Sequence, residues 1–226
     1  TSNLNAKPNT GNTTPVVSSR TTSTNSTYSV NQNILDQVAA GTAVDDGKDN
    51  QRNPVSSYTL SAKGFDELKH SEGFRRYAYD DLDAGTLSNP KRLTGGKITI
   101  GYGFTRAVVP NLSWDTEVTE TQAESILRGP NGNDGAIKKY VRYIIRDVGD
   151  MQVTQGEFDA LVNIIWNTGE IGSSSLGLST PLEEALEAKN YVAAAEIIKK
   201  YRITSNGNYL QGIIDRRQRE STLFLS

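Results

Sequence analysis

Thr119, Thr154 and Thr180, all in the second half of the chain, are each followed three residues on by glutamine or glutamate. Thr119 and Gln122 do this in VTETQ, Thr154 and Glu157 in VTQGEF, and Thr180 and Glu183 in STPLEEAL, where Pro181 takes the first helical position. Each pair marks a helix start, because the two side chains satisfy backbone donors that a first turn leaves open. This half of the chain is thereby committed to helices. Apolar residues then recur at helical spacing: Ile137, Val141, Ile144, Ile145 and Val148 form one stripe, and Phe158, Leu161, Val162 and Ile165 another. A last helix is expected from near Gly212 to Phe224. Ser61 caps an earlier helix that carries Phe65 and Leu68 and ends at Gly73. Between these lies a short β region, Tyr77 to Tyr79 and Lys97 to Tyr102, with Gly95-Gly96 as a turn before the second run. The expected fold class is α+β, a small antiparallel sheet beside a mostly helical body.

The first 30 residues differ from the rest. Ser, Thr and Asn fill 19 of those 30 positions, and Lys7 and Arg20 are the charged residues among them. Such a segment has too little apolar surface to offset its ordering entropy. It reads as a tether or leader. Ile34, Leu35 and Val38 form a short apolar patch, consistent with one weak helix docking on the main domain or on a partner. Linker chemistry returns in DDGKDNQRNPVSS, residues 45–57. The expected division is an extension over residues 1–57 and a catalytic domain over residues 58–226.

Composition removes several functions. The chain has no cysteine, which excludes a disulfide scaffold, a Cys-based zinc site and a thiol nucleophile. His70 is the one histidine, too few for a His-rich metal site and poor support for a Ser/His/Asp triad. A formal net charge of −2 supplies no basic field for nucleic acid. No apolar run reaches membrane-spanning length, and the first residues do not resemble a signal peptide. The acids at 80–83 lack the glycine and glutamate placement of a calcium loop. No metal and no cofactor are expected, and a monomer is.

The stretch SEGFRRYAYDD, residues 71–81, carries the chemistry. Phe65, Leu68 and Glu72 follow one helix face, so the Glu72 carboxyl points inward or into a cleft. Partial burial raises a carboxyl pKa and suits it to donate a proton to a leaving oxygen. The plainer alternative is a helix-end glutamate paired with an arginine. Tyr77, Tyr79 and Asp81 share strand parity, which places Asp81 where the strand gives way to a loop. Asp80 and Asp83 lie close by, and any of these aspartates serves equally well as a turn residue. In KITIGYGFT, residues 97–105, Ile98, Ile100 and Tyr102 share the core face, and the Thr99 hydroxyl is expected to look the opposite way, toward water or a ligand. Gly101 and Gly103 remove side chains beside it. An edge strand with a β-favouring threonine would read the same.

SEGFRRYAYDD followed by TIGYG resembles the phage-type lysozymes, or endolysins, of glycoside hydrolase family 24. The resemblance continues through SAKGFDELKHSEG, VTETQAESIL, TQGEFDALVNIIWNTG and GIIDRRQRE, and so spans about Ser61 to Phe224. It selects Asp81 over Asp80. It implies a lysozyme-like fold, with Glu72 as general acid and Asp81 and Thr99 positioning a water or stabilising the transition state. Trp166 and Asn167 stand where the family has an aromatic and an amide near the cleft, and Thr105 at a cleft edge; core packing and helix capping are their alternatives. Arg216 and Arg217 offset the field of Glu72 or pair with surface acids such as Glu220. Two departures stand out. The segment LDAGTLSNPKRLTGGK, residues 82–97, lengthens the interval between Asp81 and Thr99, with Lys91 and Arg92 available for substrate contact. Phe104 occupies a position where the family commonly has histidine, and tuning rather than loss is expected there.

The implied activity is that of a muramidase, a glycosidase cutting the β-1,4 bond between N-acetylmuramic acid and N-acetylglucosamine in peptidoglycan, with inversion at the sugar carbon. Its partner is the glycan strand, and its place of action the bacterial cell wall in the periplasm. Two other readings are a non-catalytic wall-binding module and the lytic domain of a phage tail or secretion-system effector, delivered by a carrier protein through the Ser/Thr/Asn-rich extension.

Overall fold

A computed structural model describes residues 29–82, 95–130, 135–171 and 180–226. Most of the Ser/Thr/Asn-rich leader, Asp83, Lys91, Arg92 and the bulk of the 82–97 insertion lie outside the described residues.

All three capping boxes close as the spacing predicts. They open α3 (Glu120–Arg128), α5 (Gln155–Thr168) and α6 (Pro181–Glu187), each with both side-chain bonds in place. Ser61 accepts from the Gly64 amide to start α2 (Ala62–Glu72), and Gly73 ends it at φ 67°, a value glycine adopts without strain. Of the other helices, α4 spans Ile137–Val148, α7 Tyr191–Ile198 and α8 Gln211–Phe224. The centre of the body is α5, buried on every face from Gly156 to Ile165. Helices α2, α4 and α8 pack around it. Gly156 and Gly64 permit the closest approaches: a Cβ on Gly156 would meet the Leu223 carbonyl oxygen at 2.6 Å, and one on Gly64 the Asp159 carboxyl at 2.5 Å.

The expected small sheet is an antiparallel pair, β2 (Arg75–Asp80) with β3 (Ile98–Gly101), in which Tyr79 faces Thr99 and Asp80 faces Ile98. The register shifts between Arg75 and Tyr79. Two further two-residue pairs were not legible: β1 (Asn53–Pro54) with β4 (Gln152–Val153), and β5 (Thr204–Ser205) with β6 (Asn208–Tyr209).

The segment read as linker chemistry, residues 45–57, lies against the body as a folded strap. The patch at Ile34, Leu35 and Val38 belongs to a helix, α1 (Gln32–Ala39), which buries Val38 and docks on α6. The strap then threads to β1, and Val55 enters the core. Arg52 holds it there. Its side chain is only 3% exposed, and its guanidinium pairs with Glu157 at 2.6 Å and Asp46 at 2.6 Å while lying 3.6 Å over the Tyr191 ring. Lys48 adds a bond to the Leu225 carbonyl. A polar sequence can be ordered in this way because its charge is neutralised pairwise, with Val55 as its apolar anchor.

Replacing Arg52 by alanine leaves the buried Glu157 without its ion partner. The expected loss is roughly 3 kcal/mol of unfolding free energy, read by urea denaturation of the full chain. The Arg52 hydrogen bond, opposed by burial, holds the Asp46 carboxyl below the usual carboxylate range. A depressed folded-state pKa adds stability that is full above the ordinary value and is lost as pH falls through the folded one. Thermal melts should therefore show an acid-side loss below pH ~4 that is smaller in Asp46→Asn.

Candidate active site

Glu72 is the last residue of α2, one turn beyond the buried Leu68. Its side chain is 20% exposed, and Arg216 of α8 donates to its Oε1 at 2.7 Å. A Cβ added to Gly103, which sits at φ 87°, would lie 3.9 Å from Glu72 Oε2. The carboxyl thus has one oxygen fixed by a cation and the other beside the Gly103 backbone.

Arg216 and Arg217 each spread their donors over three partners. Arg216 reaches Glu72, Glu220 at 2.8 Å and the Asn163 carbonyl at 2.9 Å. Arg217 reaches the Tyr201 carbonyl at 2.8 Å, the second oxygen of Glu220 at 2.5 Å, and Asn167 Oδ1 at 2.6 Å. The choice left open by the sequence is resolved: Arg216 pairs with Glu72, and Glu220 is a fully buried bridge between the two arginines rather than a surface acid. Neighbouring positions on α8 point to different elements, so one buried acid can organise both cations.

Asp81 and Thr99 meet at one residue, Lys97. The Lys97 amide donates to Asp81 Oδ1 at 2.7 Å, the Asp81 amide donates to the Lys97 carbonyl at 3.1 Å, and the Thr99 hydroxyl donates to that same carbonyl at 3.1 Å. Asp81 is exposed, whereas its neighbour Asp80 is fully buried and accepts from the Leu82 amide. Strand parity misjudged Thr99. Both faces of β3 are covered, and Thr99 is 3% exposed with its hydroxyl on backbone, not turned out to solvent. Gly96 is required beside this turn, since a Cβ there would stand 2.2 Å from Asp81 Oδ1 and 1.9 Å from Asp80 Oδ1. Tyr79 links the two halves of the site. Burial pushes its phenol pKa up, and the charges of Glu72 and Asp81 both add to that rise against the pull of Arg75.

A groove of about 800 Å³ runs from Gly103 past Thr105 and Trp166 to Tyr140 and the start of α4. Trp166 is half-buried, 4.4 Å from the Tyr140 ring and 6.4 Å from Phe104. Phe104 itself is core, where an edge-on contact with Tyr102 holds it, so the family's histidine position is here a packing position. Asn167 is exposed and tied to Arg217. Thr105 lies on the groove wall, and its carbonyl accepts from Val108 and Val109. Tyr140 escaped the sequence reading. Burial, with the Glu72 charge adding, pushes its phenol up to about 12. The readable signal was an aromatic at the edge of the Ile137, Val141, Ile144 stripe with basic neighbours. Among the described residues no cluster of His, Cys, Asp and Glu could hold a metal ion.

A part-buried carboxyl at a helix end, an aspartate at the end of a short antiparallel strand pair and a mostly helical body with a groove past Gly103 are the features of a lysozyme-like protein. A model of the phage lysozyme family matches residues 69–220, and the chain belongs to that family. The endolysin of Bacillus phage B103 is 30% identical over 167 residues, covering 74% of this chain and 54% of that protein. The chain spans about half the length of this curated relative. Two solved structures share the fold. The endolysin of the Escherichia coli O157:H7 phage FAHEc1 is 29% identical at a TM-score of 0.55, over 75% of this chain and 95% of that one. The lysozyme of phage P22 is 28% identical at a TM-score of 0.56, over 75% and 99%.

Arg216→Ala would leave the buried Glu220 sharing a single cation and Glu72 sharing none. The expected cost is about 3–5 kcal/mol of stability, measured by denaturant unfolding, with Arg216→Lys recovering part of it because lysine cannot fork to three partners.

Proposed function

We propose that the chain is a muramidase that hydrolyses the β-1,4 bond between N-acetylmuramic acid and N-acetylglucosamine in peptidoglycan, without metal or cofactor. The observation that carries this reading is membership of the phage lysozyme family, together with a part-buried Glu72 that is paired with Arg216 on one oxygen and lies beside Gly103 of the groove lining on the other. Membership of the phage lysozyme family and likeness to endolysins support the substrate class.

In this mechanism Glu72 Oε2 delivers a proton to the glycosidic oxygen as the bond to the sugar carbon breaks. Arg216 fixes the carboxyl's orientation and neutralises it once the proton has left. Asp81 remains ionised and holds the attacking water, or the charge developing at the sugar carbon, from the hairpin side. Lys97 fixes one Asp81 oxygen through its amide. Thr99 acts from behind, through the Lys97 carbonyl it shares with Asp81. Inversion follows where the two carboxyls stand ~6.5–9.5 Å apart with a water between them. Trp166 and Thr105 give the sugar chain a wall, and Asn167 is held beside it by Arg217.

The lytic unit in this proposal includes the strap at 45–57 together with residues 58–226. It acts on the cell wall on the periplasmic side, and the Ser/Thr/Asn-rich leader is a delivery or spacing element.

Glu72→Gln keeps the Arg216 contact but has no proton to give. Turbidity assays on purified cell walls should show a loss of roughly 10²–10⁴-fold, with the circular dichroism and melting profile of the parent. A variant that clears walls at the parent rate would falsify the assignment. Gly96→Ala should displace the Asp81 carboxylate and depress kcat more than KM, while Gly95→Ala reports the backbone strain of a residue at φ 124° with no carboxylate nearby.

A further inference from the structure

The groove is chemically one-sided. Its charged lining residues are Lys138, Lys139 and Arg142, and among the described residues that line it there is no aspartate or glutamate. That asymmetry is unexpected in a chain of net charge −2. It arises from α4, where Ile137, Val141 and Ile144 are buried and so turn Lys139 and Arg142, three residues apart, onto the exposed face. Asp147, the acid of this helix, is withdrawn from the surface, accepting from the Ile171 amide and pairing with Arg146.

The cations stand beside aromatic floor rather than alone. The Tyr140 and Trp166 rings lie 4.4 Å apart at 35°, and the Lys139 ammonium is 5.7 Å from the Tyr140 ring. Aromatic faces take sugar rings, and exposed cations beside them take an acidic substituent on such a ring. The inner end of the same groove is the Gly103 backbone next to Glu72.

We infer that Tyr140, Lys139 and Arg142 form a subsite for a sugar that carries a carboxylate, with the packed Tyr140–Trp166 pair as its aromatic wall and the two cations reading its charge. This rests on the muramidase reading and adds a specificity to it. The carboxylate sits on the lactyl arm of muramic acid or on the peptide attached to that arm, and a neutral N-acetylglucosamine polymer would be held by the aromatic wall alone. The cations act at the exposed rim of the groove, so their contribution falls as salt screens them.

The test is binding by calorimetry, in the Glu72→Gln background to prevent turnover, with three soluble probes: a peptide-bearing glycan fragment, the same glycan stripped of peptide, and chitotetraose. Two exposed charge pairs amount to roughly a tenfold change in affinity. The double variant Lys139→Glu/Arg142→Glu should lose at least that on the peptide-bearing fragment while chitotetraose binding holds. Loss on the peptide-bearing fragment alone assigns the carboxylate to the peptide, and loss on both glycans assigns it to the lactyl arm. Tyr140→Ala should weaken all three probes. Equal loss on chitotetraose in the charge-reversed variant, or no loss on any probe, overturns the subsite. Failure of the Glu72→Gln protein to bind any of the three overturns the muramidase reading along with it.

Discussion

The structure depends on a buried charge network at the heart of α8. Glu220, wholly out of water, holds Arg216 with one oxygen and Arg217 with the other. The two arginines carry the network outward in different directions, to Glu72 at the end of α2 and to Asn167 at the end of α5. Two acids and two guanidiniums balance, which is what allows them to be buried at all. One of the helix ends they join, that of α5, brings Trp166 to the groove. A network of this kind adds little net stability over an apolar core of the same volume. Its consequence is geometric: the candidate acid cannot rotate without breaking a charge pair.

The surroundings of Asp81 are organised by backbone instead. Lys97 offers its amide to Asp81 and its carbonyl to both Asp81 and Thr99, so three groups of two residues are referred to the backbone of one residue. Gly96 leaves the space that this turn needs. The two clusters differ in kind. One is charge-locked within the helical body, and the other is hydrogen-bonded on a short hairpin. Tyr79 lies within the field of both candidate carboxylates.

Much of this was legible beforehand, and the reason is local. The helix starts at Thr119, Thr154 and Thr180 need contacts only three residues away, so spacing suffices to read them. Phe65, Leu68 and Glu72 share a face by helix geometry alone. Two readings failed where a distant partner decides the outcome, and one helix went unread. The strap at 45–57 resembles a linker until Glu157 and Tyr191 close over Arg52. Thr99 was expected in solvent because parity assigns faces but does not say how many of them are covered. Helix α7 carries no one-sided stripe, because Ala193, Ala194, Ala195, Ile197 and Ile198 are all buried. Tyr140 was passed over for a related reason, since an aromatic at the edge of an apolar stripe becomes a groove wall only once another helix brings Trp166 alongside.

The sequence by itself determined where helices begin, which face of each is apolar, that cysteine chemistry is excluded, and which acid lies at the end of a core-facing helix. These follow from periodicity and from hydrogen bonds spanning a few residues. Only the tertiary structure decided which cation meets Glu72, that Glu220 is a bridge inside the protein, that Asp81 and Thr99 converge on Lys97, and that an apparent linker is a strap. Each of those is a pairing across many residues, and its energy exists only after the chain has closed and water has been removed from around the charges.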